Sequence, residues 1–187
     1  MENLYKLKKG LDLKLEGVAP KALREISSVT EYAVAPQDFY GMTPRLVVKE
    51  GDHIVAGEPL FTDKQTGKIQ IVSPVSGIVK EIERGDRRKI RLIRITPDVH
   101  QDAKEWPILG IEKITREDIL ERLLQSGLFA FFKQRPYDVI ASPTDLPKGI
   151  FVSTFNKMPL AADSCYVVSG QEEEFKLGIS VLSKLAK

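Results

Sequence analysis

Cysteine and histidine are nearly missing from this chain, and their scarcity excludes whole classes of chemistry. Cys165 stands alone, so the chain cannot form an internal disulfide or supply the four thiolates that usually hold an iron-sulfur cluster. His53 and His100 are the only histidines, far apart and without a His-Glu-x-x-His pair, so zinc-hydrolase chemistry has no ligand set. Both read as surface or loop residues. There is no Gly-x-Ser-x-Gly elbow, no Gly-x-Gly-x-x-Gly turn and no Walker loop. The nearest approach, Gly67-Lys68, runs into Ile69, so a glycine-rich phosphate cradle is unsupported. The longest apolar run, Leu128–Phe132, is far short of the roughly 20 residues that cross a bilayer. Met1–Lys9 lacks the apolar stretch of a secretory signal, which predicts a reducing, cytoplasmic setting. Charge of one sign is also lacking: 28 Lys and Arg against 26 Asp and Glu leave +2, which argues against a nucleic-acid partner.

What is present is an ordinary soluble composition, 42% hydrophobic and 29% charged over 187 residues, enough for two small domains. Residues 1–104 read as a β-rich domain. Alternation marks strands at Val29–Val34, Ile78–Ile82 and Lys89–Ile95, with glycines at 51, 57, 67, 77 and 85 between them. Gly51 and Gly57 set two tight corners around one short strand, because each corner needs a backbone conformation that a Cβ penalises. Residues 105–187 change texture and read as the first part of an α/β domain. Thr115 and Asp118 can close a capping box, and Ile119, Leu120, Leu123 and Leu124 form a helical stripe ended by Gly127, giving a helix over about 116–125. Gly149–Thr154 reads as a strand apolar on both faces. A helix over about 172–184 opens with Glu172, Glu173 and Glu174, which complement its dipole rather than bind metal. A buried strand needs neighbours, so the chain reads as the truncated beginning of its second domain.

The combination of Lys8-Lys9-Gly10-Leu11-Asp12-Leu13, Tyr40-Gly41-Met42-Thr43-Pro44, Val48-Lys49-Glu50-Gly51-Asp52, Leu60-Phe61-Thr62-Asp63-Lys64, Ser126-Gly127-Leu128, Arg135-Pro136-Tyr137 and Asn156–Asp163 resembles the NqrA family, one of the six subunits of the bacterial sodium-translocating NADH:quinone oxidoreductases, the Nqr complex. The resemblance implies an N-terminal barrel-sandwich hybrid like a lipoyl or biotinyl carrier but unmodified, followed by a domain like the flavin subunit of complex I. It further implies a peripheral subunit on the cytoplasmic face of the inner membrane. The complex passes electrons from NADH to ubiquinone or menaquinone while exporting sodium. NADH, flavins and iron-sulfur centres would belong to other subunits, with no cofactor in this chain, no catalytic residue and no metal. Other Nqr subunits, above all a membrane-embedded one, would be its partners. In related flavin-binding subunits a glycine-rich loop follows the helix corresponding to 116–125. Here Gly127-Leu128-Phe129-Ala130-Phe131-Phe132 stands instead, which argues that flavin binding is lost.

Several residues keep two readings. Lys64 occupies a hairpin tip where carrier domains are modified, but no second Gly-Asp corner follows and Gln65-Thr66-Gly67 lengthens the hairpin, so it is expected to be an unmodified charged tip. Arg84, Arg87, Arg88, Lys89, Arg91 and Arg94 form either a solvated strand face or a basic interface, centred on Arg87, Arg88 and Arg91, for acidic lipids or a partner subunit. Phe129, Phe131 and Phe132 pack inward, or Phe131 and Phe132 line a quinone or partner pocket with Arg135 at its rim. Cys165 is read as structural. Docking within a sodium pump is thus the leading function, with a lipoyl- or biotinyl-type carrier and a flavin- or NADH-binding subunit as alternatives.

Overall fold

Alternating apolar strands with glycine corners require antiparallel sheets that share one core, and the computed structural model contains them. It describes residues 10, 15–26, 29–107, 110–154, 156, 158 and 160–186. Of the segments carrying the resemblance, residues 8, 9, 11–13, 157 and 159 lie outside this set. The chain divides into two compact units, Ile26–Ile150 with Ser180–Lys187, and Met1–Glu25 with Phe151–Ile179.

In the larger unit the strands are β1 (Tyr32–Val34), β2 (Pro44–Leu46), β3 (His53–Ile54), β4 (Pro59–Asp63), β5 (Gln70–Val72), β6 (Gly77–Arg84) and β7 (Ile90–Pro97). One sheet has the order β1-β7-β6-β3 and the other β2-β4-β5, all antiparallel. Their shared core contains Leu60, Phe61, Val79, Ile93 and Ile95, each fully buried. Leu60 and Phe61 are neighbours yet both point inward, because the β4–β5 register shifts between Pro59 and Phe61 and Leu60 is the extra residue. The short strand expected between Gly51 and Gly57 is β3, and both glycines have the positive φ that the corners need, +88° and +89°. The three alternating segments fall on β1, β6 and β7.

Helix α1 (Arg116–Gln125) begins with the expected capping box. Thr115 accepts from the Asp118 N–H at 3.1 Å while the Asp118 carboxylate accepts from the Thr115 N–H at 3.0 Å. Leu120, Leu123 and Leu124 pack against the barrel core. The segment after α1 carries a two-rung hairpin, β8 (Lys133–Gln134) with β9 (Val139–Ile140).

In the smaller unit, α2 (Ser164–Val168) is capped by Asp163, whose carboxylate accepts from the Cys165 and Tyr166 N–H groups. Lys21 pairs with the same carboxylate at 2.7 Å. Helix α3 (Glu172–Ser183) begins with the three glutamates as expected. Two expectations fail here. Gly149–Thr154 forms no strand, and Phe151 is 99% exposed. Apolar character alone does not make a strand; a paired backbone does, and no described segment pairs with this one. Cys165 is exposed rather than structural, because the cap turns the first residues of α2 toward solvent.

Candidate functional site

The β4–β5 tip that carries Lys64 is rigid. Asp63, only 4% exposed, accepts from the Thr43 N–H at 3.1 Å, the Thr66 N–H at 2.8 Å and the Thr66 hydroxyl at 2.9 Å. Burial pushes its carboxyl up, but the hydrogen bonds from Thr66, Thr43 and Gln65 outweigh burial and hold it below the usual carboxylate range. The Lys64 N–H donates to the Thr43 carbonyl, while its side chain is exposed. Asp63 therefore organises the turn, and the lysine beside it is a solvated charge.

The basic stretch is divided by its neighbours. Arg94 bonds Glu31 at 2.6 Å and Glu83 at 3.3 Å, and Arg91 pairs with Glu83 at 3.2 Å. Lys80 also bonds Glu31 at 2.8 Å, and the Lys80 and Arg94 bonds hold the Glu31 carboxyl below its ordinary range. On this face a carboxylate answers each cation, as a solvated strand face would have it. At the β6–β7 turn the cations have no such partners. Arg84 donates to the Arg88 carbonyl, and among the described residues Arg87, Arg88 and Lys89 make no ion pair.

The phenylalanines separate too. Gly127 takes φ +78° and lies so close to β5 that a Cβ would be 3.1 Å from the Val72 side chain. This close approach seats a short 3-10 turn, Leu128–Phe131, on the barrel. Phe129 and Ala130 enter the core, and the Phe129 and Phe132 rings stack at 5.6 Å. Phe131 is 71% exposed, and Arg135 is exposed with Asp138 as its ion-pair partner at 3.8 Å. Phe132 thus belongs to the packed side, while Phe131 and Arg135 face solvent. Within this connection Phe129 and Ala130 are buried, while Leu128 and Phe131 are exposed.

Two clusters went unread in the sequence. The Ser76 hydroxyl donates to Asp98 at 2.6 Å and His53 bonds the same oxygen at 2.8 Å. Those bonds, Ser76 first, hold the Asp98 carboxyl low. Because serine and histidine both address the aspartate and not each other, this is a structural clasp and not a nucleophile with its base. Separately, Lys104 and Arg122 lie 4.6 and 4.9 Å from the Trp106 ring centre, and Arg122 forks onto the Pro107 carbonyl. Among the described residues no cluster of His, Cys, Asp and Glu could hold a metal ion, and no helix is long and apolar enough to cross a membrane.

The sequence matches the NqrA N-terminal barrel-sandwich hybrid domain over residues 5–98 and the NqrA second alpha/beta domain over residues 114–187. The chain belongs to the NqrA family. Its N-terminal half is accordingly a barrel-sandwich hybrid and its C-terminal part an α/β domain. Similar proteins include the NqrA subunit of the Na(+)-translocating NADH-quinone reductase of Marinomonas sp. (strain MWYL1), 34% identical over 186 residues covering 98% of this chain and 42% of that protein. The corresponding NqrA of Pseudomonas aeruginosa (strain UCBPP-PA14) is 32% identical with the same coverage. That of Rhodopirellula baltica is 32% identical over 190 residues, 98% of this chain and 41% of the relative. The chain therefore spans less than half the length of these NqrA relatives. Between the two matched NqrA domains lie residues 99–113, the segment that places Trp106 between its two cations.

Proposed function

We propose that this chain contributes the first two domains of a peripheral, non-catalytic subunit of a sodium-pumping NADH:quinone oxidoreductase. It docks on the membrane-embedded part of that complex from the cytoplasmic side, while other subunits bind NADH, flavin and iron-sulfur centres and pass the electrons of NADH to the quinone. The observation that carries the docking role is the α1–β8 connection. A segment that would need open backbone N–H groups to hold a flavin is instead sealed onto β5 through Gly127, Phe129 and Ala130. The remaining exposed pair, Phe131 and Arg135, is offered for contact with a partner subunit or the quinone ring, with Phe132 packed behind them.

Reconstitution tests this reading. The purified chain is mixed with solubilised reductase that lacks NqrA and passed over a sizing column. Co-elution, with neither flavin absorbance nor a mass increment on Lys64 in the chain itself, is the expected result. Failure to co-elute refutes the docking role, stoichiometric flavin points to the electron-carrying alternative, and a lipoyl or biotinyl increment points to the carrier.

A further inference from the structure

We propose that the distal end of the β6–β7 hairpin is a docking surface for anionic phospholipid headgroups. Strand pairing leaves the turn at this end outside the flanking strands, while Ile90 at its base stays in the buried core. β3 reaches β6 only at Gly77 and Ile78, and β1 reaches β7 only at Ile93–Ile95, whereas β6 and β7 pair out to Arg84 and Ile90. Beyond the flanking strands the hairpin carries Arg84, Arg87, Arg88 and Lys89, all exposed. An open groove of about 640 Å³ is lined by Lys49, Glu50 and Arg84 together with Leu46, Val47 and Ile82, and Val47 is 53% exposed.

Two features separate these cations from an ordinary solvated face. The first is contrast along one strand pair: Arg91 and Arg94 are answered by Glu83 and Glu31, while among the described residues Arg87, Arg88 and Lys89 form no ion pair. Asp86 stands within the turn and Glu50 lines the same groove, its carboxylate accepting from the Ile82 N–H at 2.7 Å, and among the described residues neither forms an ion pair with these cations. The second is a fixed turn. Arg87 and Arg88 both hold positive φ, 55° and 59°, a left-handed conformation that a side-chain-bearing residue disfavours. The turn is closed by the Gly85 N–H on the Lys89 carbonyl at 2.8 Å and by Arg84 on the Arg88 carbonyl at 3.2 Å. Neither arginine is buried, so no packing requires them there.

A convex cationic tip beside a small exposed apolar residue suits the headgroup layer, where phosphates meet the cations and Val47 meets the glycerol boundary. An acidic peptide added as a strand is disfavoured, because the Glu50 carboxylate already occupies the Ile82 N–H that such a strand would need. The proposal names a surface for the peripheral attachment read above, yet it stands on this hairpin alone. Vesicle binding and assembly with reductase subunits fail independently.

The test is co-sedimentation of the 187-residue chain with phosphatidylcholine vesicles, with and without about 30 mol% phosphatidylglycerol, a bilayer surface on which each cation contributes about 1 kcal/mol. Binding is expected only with phosphatidylglycerol, and it should be lost between about 0.1 and 0.5 M NaCl as screening shortens. Replacing Arg87→Gly and Arg88→Gly removes two charges at positions whose φ suits glycine, so the variant folds, and binding should fall roughly 30-fold. Lys64→Gly with Lys68→Gly, the same charge change on the other hairpin, should leave binding within about 3-fold. Equal losses in both pairs would reduce the effect to net charge and overturn the assignment. Equal binding to pure phosphatidylcholine, or tip-dependent binding to poly-glutamate without vesicle binding, would also overturn it.

Discussion

Gly77→Ala is the most direct probe of how the larger unit is held together. Gly77 opens β6 between Ile54 of β3 and Pro97 of β7. A Cβ there would lie 2.2 Å from the Thr96 carbonyl oxygen and 2.9 Å from the Pro97 Cα. Both are backbone atoms, so no side chain can swing aside, and β7 must retreat by about 1 Å to restore contact distance. Overpacking of this kind costs about 1–3 kcal/mol and a strained ladder rung about 1 kcal/mol more, against about 0.5 kcal/mol recovered from a stiffer unfolded chain. The expected net loss is about 2–3 kcal/mol. With a urea slope near 2 kcal/mol/M, the unfolding midpoint should drop by about 1–1.5 M. Gly51→Ala is the comparison: nothing lies within 4 Å of its Cβ, but φ is +88°, so only the left-handed backbone is penalised, about 1–2 kcal/mol. Trp106, the single tryptophan, reports the transition from within the same unit. A Gly77→Ala midpoint close to that of the parent chain, or a larger loss in Gly51→Ala, would refute the argument that close backbone approach sets the cost.

Phe129→Ala should cost about 3–5 kcal/mol in the same urea assay, whereas Phe131→Ala, at a largely exposed position, should change stability by less than about 0.5 kcal/mol. Asp63 and Asp98 have carboxyls held low in the folded state, so their stabilisation is complete above the ordinary carboxylate range and is lost as pH falls through the folded values. Thermal melts from neutral to acid pH should show that decline, and Ser76→Ala with Asp98→Asn should flatten it. Phe151, Met158, Leu160 and Val167 are exposed at 99%, 71%, 68% and 63%, so the chain should self-associate with rising concentration, with hydrogen exchange slowing over 151–179. Concentration-independent exchange in a strictly monomeric sample would contradict this.

Local chemistry made much of the fold legible. A glycine corner, a capping box and three glutamates opening a helix each act within a few residues, so Gly51, Gly57, Thr115, Asp118 and Glu172 could be read where they stand. Pairing is different in kind. Gly149–Thr154 has the composition of a strand, but composition cannot supply the second backbone that makes one, and none of the described segments does so. The same limit hid the clasp of His53, Ser76 and Asp98, which spans separations of 45 and 22 residues. The 163–168 turn was legible in principle, because Asp163 is an ordinary N-cap. For the phenylalanine cluster the sequence left packing and contact as alternatives; the structure gives Phe129 and Phe132 to the former and exposes Phe131.

The two hairpin tips of the barrel hold their cations in different ways. In a carrier the lysine tip must be accessible to a modifying enzyme and then move its prosthetic group. Here the β4–β5 tip is fixed by a buried carboxylate that bonds Thr43 on one side and Thr66 on the other, so Lys64 rides on a turn organised for the barrel's stability. The β6–β7 tip lacks that anchor. Its arginines hold positive φ, are exposed and form no ion pair among the described residues, while cations a few residues further along β7 are matched. Net charge cannot express this difference, since +2 over the whole chain averages a neutralised sheet face with a cationic end. What matters for association is where the unmatched cations stand. The strand pairing puts them at the turn of the longest strand pair in the unit, so it is the local field of that turn, and not the net charge, that a charged surface would meet.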